Sequence, residues 1–185
     1  MNKRTAGLTL LELLVVISIT AILATVALPS MSTLVAETRL RSGTSMLVSM
    51  MNFARMQAVT RNAPVTLCPS EDGFGCGEAN EWNRGVMAFE DANHNRHRDG
   101  EEELLRFRDM NPHLHIFSGS DPDSTGKSRK RVVFSPAGTA AGYTISVKFC
   151  SRNGSTQPAV IILQNSGRIR LSDRDGSGRK PACDP

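Results

Sequence analysis

An apolar run close to the N-terminus constrains this chain more than any other feature. Residues 10–28 contain a single ionisable side chain, Glu12, and they follow a short lead that carries Lys3 and Arg4. About 20 apolar residues are enough for a helix to span a bilayer, and a basic flank keeps the start of the chain in the cytoplasm. A carboxylate inside hydrocarbon is costly, so Glu12 is expected to have a partner. The run predicts a transmembrane helix over residues 8–29, with the rest of the chain outside the cytoplasm.

The alternative interpretation of this run is a cleaved secretory signal. Thr25-Val26-Ala27 provides small residues of the kind that signal peptidase accepts. Three features count against it: the run is long, it contains Glu12, and helical periodicity continues past Pro29. The membrane helix is therefore the favoured interpretation.

Residues 30–63 have the apolar spacing of an amphipathic helix. Spacings of three and four residues place one set of side chains on a single face, with Arg55, Gln57 and Arg61 between them. Proline disfavours helix at the residue before it, so Pro64 predicts the end of the helix near Asn62. The apolar set is Met46, Leu47, Met50, Met51, Ala54, Ala58 and Val59.

Residues 64–185 are predicted to form a β-rich globular domain. Short apolar or alternating segments are separated by Gly, Pro, Asn and Ser, which is typical of antiparallel strands. The expected fold class is α+β: a long N-terminal helix packed on an antiparallel β-sheet or a two-sheet domain. The predicted strands cover 65–68, 85–89, 103–108, 113–117, 131–134, 143–149, 159–163 and 168–171.

Four cysteines follow the membrane segment and would lie in an oxidising compartment, where disulfides persist. Of the three possible pairings, we favour Cys68–Cys76, which closes a short loop, and Cys150–Cys183, which ties down the C-terminus. A zinc site is the alternative, but the chain contains no CxxC spacing.

The N-terminal segment resembles the prepilin signal of type IV pilins and type II secretion pseudopilins. The resemblance implies that a prepilin peptidase cuts between Gly7 and Leu8 and methylates the new N-terminus at Leu8, although Phe is the usual residue there. It also implies that Glu12, at the fifth mature position, pairs with the N-terminal amine of a neighbouring subunit. Pro29 falls where that family often has a proline that kinks the helix.

The whole chain resembles the FimT/GspH group of minor pseudopilins. The residues that carry this resemblance are the cysteine-bounded loop 68–76, the stretch 82–107 and the C-terminal SGRIR at 166–170. It implies a pilin-like fold with 1–7 as leader peptide, other pilin subunits as partners, and single-pass residence in the inner membrane with the domain in the periplasm. Assembly into a surface pilus, at or near its tip, or into a pseudopilus would follow.

Residues 91–102 match an EF-hand calcium loop in spacing but not in detail. Oxygen-bearing side chains occupy positions 1, 3, 5, 9 and 12, as Asp91, Asn93, Asn95, Asp99 and Glu102. Position six, which should be glycine, is an arginine, and no flanking helix is expected. A polar hairpin connection is favoured, with calcium as the minor alternative. A metal pair at His94 and His97 is weaker still, so no cofactor is expected.

The C-terminal third is strongly basic, with eleven basic and three acidic residues over 127–185, whereas 68–126 has five basic and thirteen acidic ones. Arg168 and Arg170 flank Ile169, so on a strand both point to one face. Paired arginines suit phosphate oxygens. The alternative is that they pair with the acidic segment or form a solvated face. The candidate cations are Lys127, Arg129, Lys130, Arg131, Arg168, Arg170 and Arg174.

In FimT-like minor pilins a GRxR motif is associated with DNA binding during uptake for natural transformation, and this chain has Gly167-Arg168-Ile169-Arg170. The chain has no GxSxG, HExxH or phosphate-binding glycine loop, so no enzyme is expected. We therefore expect a minor pilin that binds DNA without sequence preference. The alternative is a structural minor pilin or type II secretion pseudopilin that primes assembly without binding DNA.

Overall fold

One long helix forms the spine of the computed structural model. Helix α1 runs from Leu10 to Arg61, 52 residues, or about 78 Å at 1.5 Å per residue. The Thr9 hydroxyl caps its start by accepting the amide of Glu12, and Asn62 ends it in a left-handed conformation with φ of 52°. The structure describes residues 9–78, 82–119, 130–140, 142, 144–152, 154, 156–176, 178–181 and 183, without the side chains of 26–30.

The N-terminal part of α1 extends away from the globular domain. Its large apolar side chains from Leu10 to Leu23 are 49% to 78% exposed. In the portion of the chain described here, no helix combines the length and apolarity needed to cross a membrane.

Eight strands follow α1 and form two antiparallel four-stranded sheets, which confirms the predicted α+β fold class. The first sheet has the order β3-β2-β1-β5 and the second β4-β6-β7-β8. Each predicted strand corresponds to an observed one, and the ends differ by at most two residues. The strands are β1 Val65–Pro69, β2 Gly85–Glu90, β3 Leu104–Asp109, β4 Leu114–Gly119, β5 Val132–Phe134, β6 Ile145–Ser151, β7 Ala159–Leu163 and β8 Ile169–Ser172.

The C-terminal half of α1 buries its apolar face between the two sheets. Leu47, Met51, Ala54 and Ala58 are fully buried and lie in the same apolar cluster as strand residues of both sheets. Val59, which the spacing predicts on this face, is instead 52% exposed. It follows Ala58 by one residue, about 100° around the helix, and so lies outside the buried face.

The C-terminal tail crosses the outer face of the second sheet. Ser146 and Ile162 share that face because they pair directly in the ladder. The amide of Gly176 donates to the Ser146 hydroxyl, and the Cys150–Cys183 disulfide anchors the tail. The tail thus explains why Ile162, on the face opposite the helix, is only 1% exposed. The second bonded pair, Cys68–Cys76, closes the loop after β1, so both favoured pairings are formed.

Candidate functional site

The candidate site lies on β8, an edge strand of the second sheet. Arg168 and Arg170 are exposed, while Ile169 between them is partly buried against the core. Within the described residues, neither guanidinium makes a hydrogen bond or an ion pair. Two cations that no described acid neutralises therefore point to solvent from one side of the strand.

A tight turn delivers the chain to β8, and Gly167 is required for it. The Gly167 amide donates to the Gln164 carbonyl at 2.8 Å, and the Gln164 amide donates to the Arg168 carbonyl at 2.9 Å. Gly167 has a φ of +77°, a conformation that side chains disfavour. A Cβ placed there would also collide with the carbonyl oxygen of Gly138. The backbone conformation and the close packing thus explain why the first position of the GRxR motif is glycine.

A second turn of the same design lies against the first one. The Ser135 amide donates to the Thr139 carbonyl, and Gly138, with φ of +73°, donates to the Ser135 carbonyl, both at 2.8 Å. The Ala140 amide donates to the Asn165 carbonyl at 2.9 Å and joins the two turns. The end of β5 in one sheet is thereby connected to the start of β8 in the other.

Arg55 of α1 holds both turns in place. Its Nε donates to the Gly138 carbonyl at 2.8 Å and its Nη1 to the Gly167 carbonyl at 3.1 Å, with a longer contact from Nη2 to the Ser166 carbonyl. The sequence pattern places Arg55 among the polar positions of the helix and assigns it no role. Its spacing from Met51, Ala54 and Ala58 puts it beside the buried face, and an arginine there is expected to have a buried partner.

Lys130 and Arg131 are placed differently from Arg168 and Arg170. Both contact Glu78, with Arg131 Nη2 at 2.9 Å and Lys130 Nζ at 3.7 Å from its carboxylate oxygens. The hydrogen bond from Arg131 is the main reason that the pKa of Glu78 is lowered below 4.5. Pairing with the acidic segment, the alternative expected for Arg168 and Arg170, is therefore found at Lys130 and Arg131 instead. Lys127 and Arg129 lie outside the described residues.

Arg174 follows β8 and belongs to the tail. Its Nη1 donates to the Gly178 carbonyl at 3.0 Å, and its amide donates to the Ser172 hydroxyl. The side chain stays exposed while it stabilises the turn at 175–179. It therefore extends the positive surface beyond Arg170.

The carboxylate oxygens of the calcium-like loop accept hydrogen bonds from protein groups. Asp91 is fully buried, accepts the Thr66 hydroxyl at 2.6 Å and accepts the backbone amide of Arg96. Asn93 and Asn95 both donate to the Asp99 carboxylate, at 2.6 and 2.7 Å. Among the residues that the structure places, no group of three or more His, Cys, Asp or Glu side chains is arranged to hold a metal. The contacts fit a polar hairpin connection.

Glu12 lies in the first turn of α1 and is exposed, and its backbone amide is the group that Thr9 caps. Gly7 and Leu8, the expected processing residues, are outside the described part of the chain. The single subunit thus presents the Glu12 carboxylate outward near the start of the helix.

Comparison with known proteins identifies the family. Residues 44–167 match the family described as type II transport protein GspH, and residues 2–28 match the prokaryotic N-terminal methylation motif. The chain belongs to the GspH family, a family of minor type IV pilins and pseudopilins.

Individual relatives agree with this assignment. The pilin-like protein PilA1 of Thermus thermophilus is 32% identical over 173 residues, which cover 89% of this chain and 97% of that protein. Two crystal structures of the type IV minor pilin FimU from Pseudomonas aeruginosa share the fold at 17% identity. Their TM-scores are 0.54 and 0.53, and the alignments cover 74% and 71% of this chain and 90% and 91% of theirs.

Proposed function

We propose that this protein is a minor pilin whose β8 edge binds the DNA backbone for uptake in natural transformation. The observation that carries the proposal is the pair of exposed arginines, Arg168 and Arg170, with no anionic partner among the described residues. Alternate residues of a strand lie about 6.7 Å apart on one face. Two guanidinium groups so placed suit phosphate oxygens along a nucleic acid strand.

The surrounding charges determine how much each basic residue contributes. Glu78 offsets one of the two positive charges of Lys130 and Arg131, so these two add less positive potential than the sequence alone suggests. We assign the main phosphate contacts to Arg168 and Arg170, with Arg174 beside them. Lys127 and Arg129 stay in the proposal as part of the same basic segment. Binding of this kind arises from counterion release and does not depend on base sequence.

The N-terminal segment would place this surface on a pilus. We propose that prepilin peptidase cuts between Gly7 and Leu8 and methylates Leu8, in line with the methylation-motif match over residues 2–28. Residues 8–29 would anchor the subunit in the inner membrane, and Glu12 would pair with the N-terminal amine of a neighbour during assembly. The domain would first lie in the periplasm and then at or near the pilus tip.

A second function is a purely structural subunit that primes a pilus or a type II secretion pseudopilus. The exposed apolar side chains from Leu10 to Leu23 favour it, because they need neighbouring helices or lipid around them. Neither function involves catalysis. The two differ in whether the domain itself binds DNA.

A gel shift at several salt concentrations tests DNA binding, with full-length protein in detergent. Arg168→Ala/Arg170→Ala should weaken binding on the order of tenfold or more and lower the salt slope by about two, one for each phosphate that is no longer neutralised. Arg106→Ala/Arg108→Ala is the matched control, because these arginines have the same spacing on β3, an edge strand of the other sheet. Equally weakened binding in both variants, or no wild-type binding at low salt, would leave the structural subunit as the function.

A further inference from the structure

A cavity of about 550 Å³ lies where α1 leaves the globular domain. This volume is within the range of pockets that hold small ligands. Its apolar part comes from Met31, Val35 and Ala36 of the helix and from Leu114 at the start of β4. Ala36 and Leu114 are buried, whereas Met31 is 61% and Val35 40% exposed, so the apolar surface opens to the outside.

Basic side chains surround this apolar surface. Arg39, His113 and Arg152 line the cavity and are exposed. In the part of the chain that the structure describes, the guanidinium groups of Arg39 and Arg152 have no hydrogen-bond or ion-pair partner. Helical side chains lean toward the N-terminus, so Arg39 extends back over the turn that carries Val35. The cavity therefore combines an apolar floor with two cations that no described residue pairs with, which is the chemistry that an anionic amphiphile requires.

The position of the cavity indicates which amphiphile it fits. Met31 comes soon after the segment proposed as the membrane anchor, and the sequence carries no charged residue between Glu12 and Glu37. Val35 and Arg39 lie about 9 and 15 Å beyond Pro29 along the helix axis. With the backward lean of Arg39, its guanidinium would lie near the phosphate level of the outer leaflet.

We propose that this cavity binds an anionic phospholipid while the subunit is held in the membrane. The glycerol and upper acyl chain would contact Met31, Val35 and Leu114, and the phosphate would lie between Arg39 and Arg152. The inference rests on the proposed membrane anchorage. It gives the subunit a defined height and orientation on the bilayer before assembly, because the domain is attached to a lipid at its base as well as through its helix.

Native mass spectrometry of the full-length protein tests this inference, with phosphatidylglycerol and phosphatidylcholine offered in equal amounts. The wild type should retain one phosphatidylglycerol in preference to phosphatidylcholine. Arg39→Gln/Arg152→Gln should reduce that preference by roughly 30-fold, since each cation near an anionic lipid contributes about fivefold. Arg41→Gln/Arg108→Gln removes the same charge away from the cavity and should retain the lipid.

The outcomes separate the cavity from the anchorage. Equal retention of both lipids, or the same reduction in both double variants, would overturn the lipid site. A photo-crosslinking amino acid at Val35 should label lipid; exclusive labelling of another protein chain would overturn it too. Vesicle flotation tests the anchor independently: protein that floats with vesicles but retains no specific lipid contradicts the cavity alone, whereas protein that does not float contradicts the anchorage.

Discussion

Arg55 in the spine helix donates a 3.1 Å hydrogen bond from Nη1 to the carbonyl of Gly167, 112 residues later in the chain. The same guanidinium donates to Gly138, so one side chain joins the helix, the end of β5 and the start of β8. The arginines that follow Gly167 thus begin from a turn that is fixed to the helix. The position of the candidate DNA surface depends on a residue that is far from it in sequence.

Replacing Arg55 by methionine should therefore destabilise the domain. The variant keeps the aliphatic packing but removes the donors to two carbonyl oxygens, and hydrogen bonds from charged groups contribute about 1.5–3 kcal/mol each. We expect a decrease of about 3–6 kcal/mol in the free energy of urea unfolding, followed by the fluorescence of the single, buried tryptophan, Trp82. Arg41→Met is the control, because Arg41 is exposed on the same helix and its guanidinium has no partner among the described residues. Equal decreases in Arg55→Met and Arg41→Met would show that the hydrogen bonds from Arg55 do not stabilise the domain.

Gly167→Ala should cost more stability than Gly178→Ala. The two glycines have the same turn design and φ values of +77° and +80°, so both variants incur the left-handed penalty of about 1–2 kcal/mol. Only at Gly167 would the new methyl group meet the Gly138 carbonyl and the Arg55 guanidinium; nothing lies within 4 Å at Gly178. We expect about 1–3 kcal/mol of additional destabilisation at Gly167 by urea unfolding. Equal losses of stability in the two variants would mean that the turns at Gly138 and Gly167 move apart at no cost in free energy.

The stability of the domain should fall in acid through the ion pairs of Glu103 and Glu78. Hydrogen bonds from Arg61, at 2.6 and 3.1 Å, are the main cause of the lowered pKa of Glu103. A carboxyl whose pKa is lowered in the folded state stabilises the fold above its unfolded pKa of about 4.5, and this stability is lost as the pH falls through the lower folded value.

Thermal unfolding between pH 6 and pH 3 measures this dependence. The unfolding temperature of the wild type should decrease as the pH falls below about 5, and Glu103→Gln should flatten part of that decrease because its amide cannot be protonated in this range. Glu101→Gln serves as the control, since Glu101 is exposed and has no ion-pair partner among the described residues. A wild-type profile that Glu103→Gln leaves unchanged would contradict the prediction.

Removing the Cys150–Cys183 disulfide should release the C-terminal tail. The chain-entropy estimate gives about 4 kcal/mol for this loop, against about 2.5 kcal/mol for the loop of Cys68–Cys76. In Cys150→Ser/Cys183→Ser, trypsin should cut after Arg174 and Arg179 sooner than in the wild type. Cys68→Ser/Cys76→Ser is the matched control and should leave the tail as resistant as before. Equal resistance in all three proteins would show that the tail packs without its disulfide.

The strands and the helix could be predicted from the sequence because their patterns are local. The apolar spacing of Leu47, Met51, Ala54 and Ala58 specifies a helix face whatever it packs against, and all eight strands were predicted to within one or two residues. The N-terminal signature also indicated the class of type IV pilins and pseudopilins without any structure, since it depends on residues close together in the chain, and the methylation-motif match over residues 2–28 agrees with it.

Only the tertiary structure decided which basic residues remain free. Lys130 and Arg131 look equivalent to Arg168 and Arg170 in sequence, but the fold brings Glu78 to the first pair and no described acid to the second. The tertiary structure also exposes Val59 to solvent and places the carbonyl groups of two turns within hydrogen-bond distance of Arg55. The physical reason is that a charge is neutralised by whatever lies within a few ångströms of it, and pairing of strands from distant parts of the chain sets those neighbours.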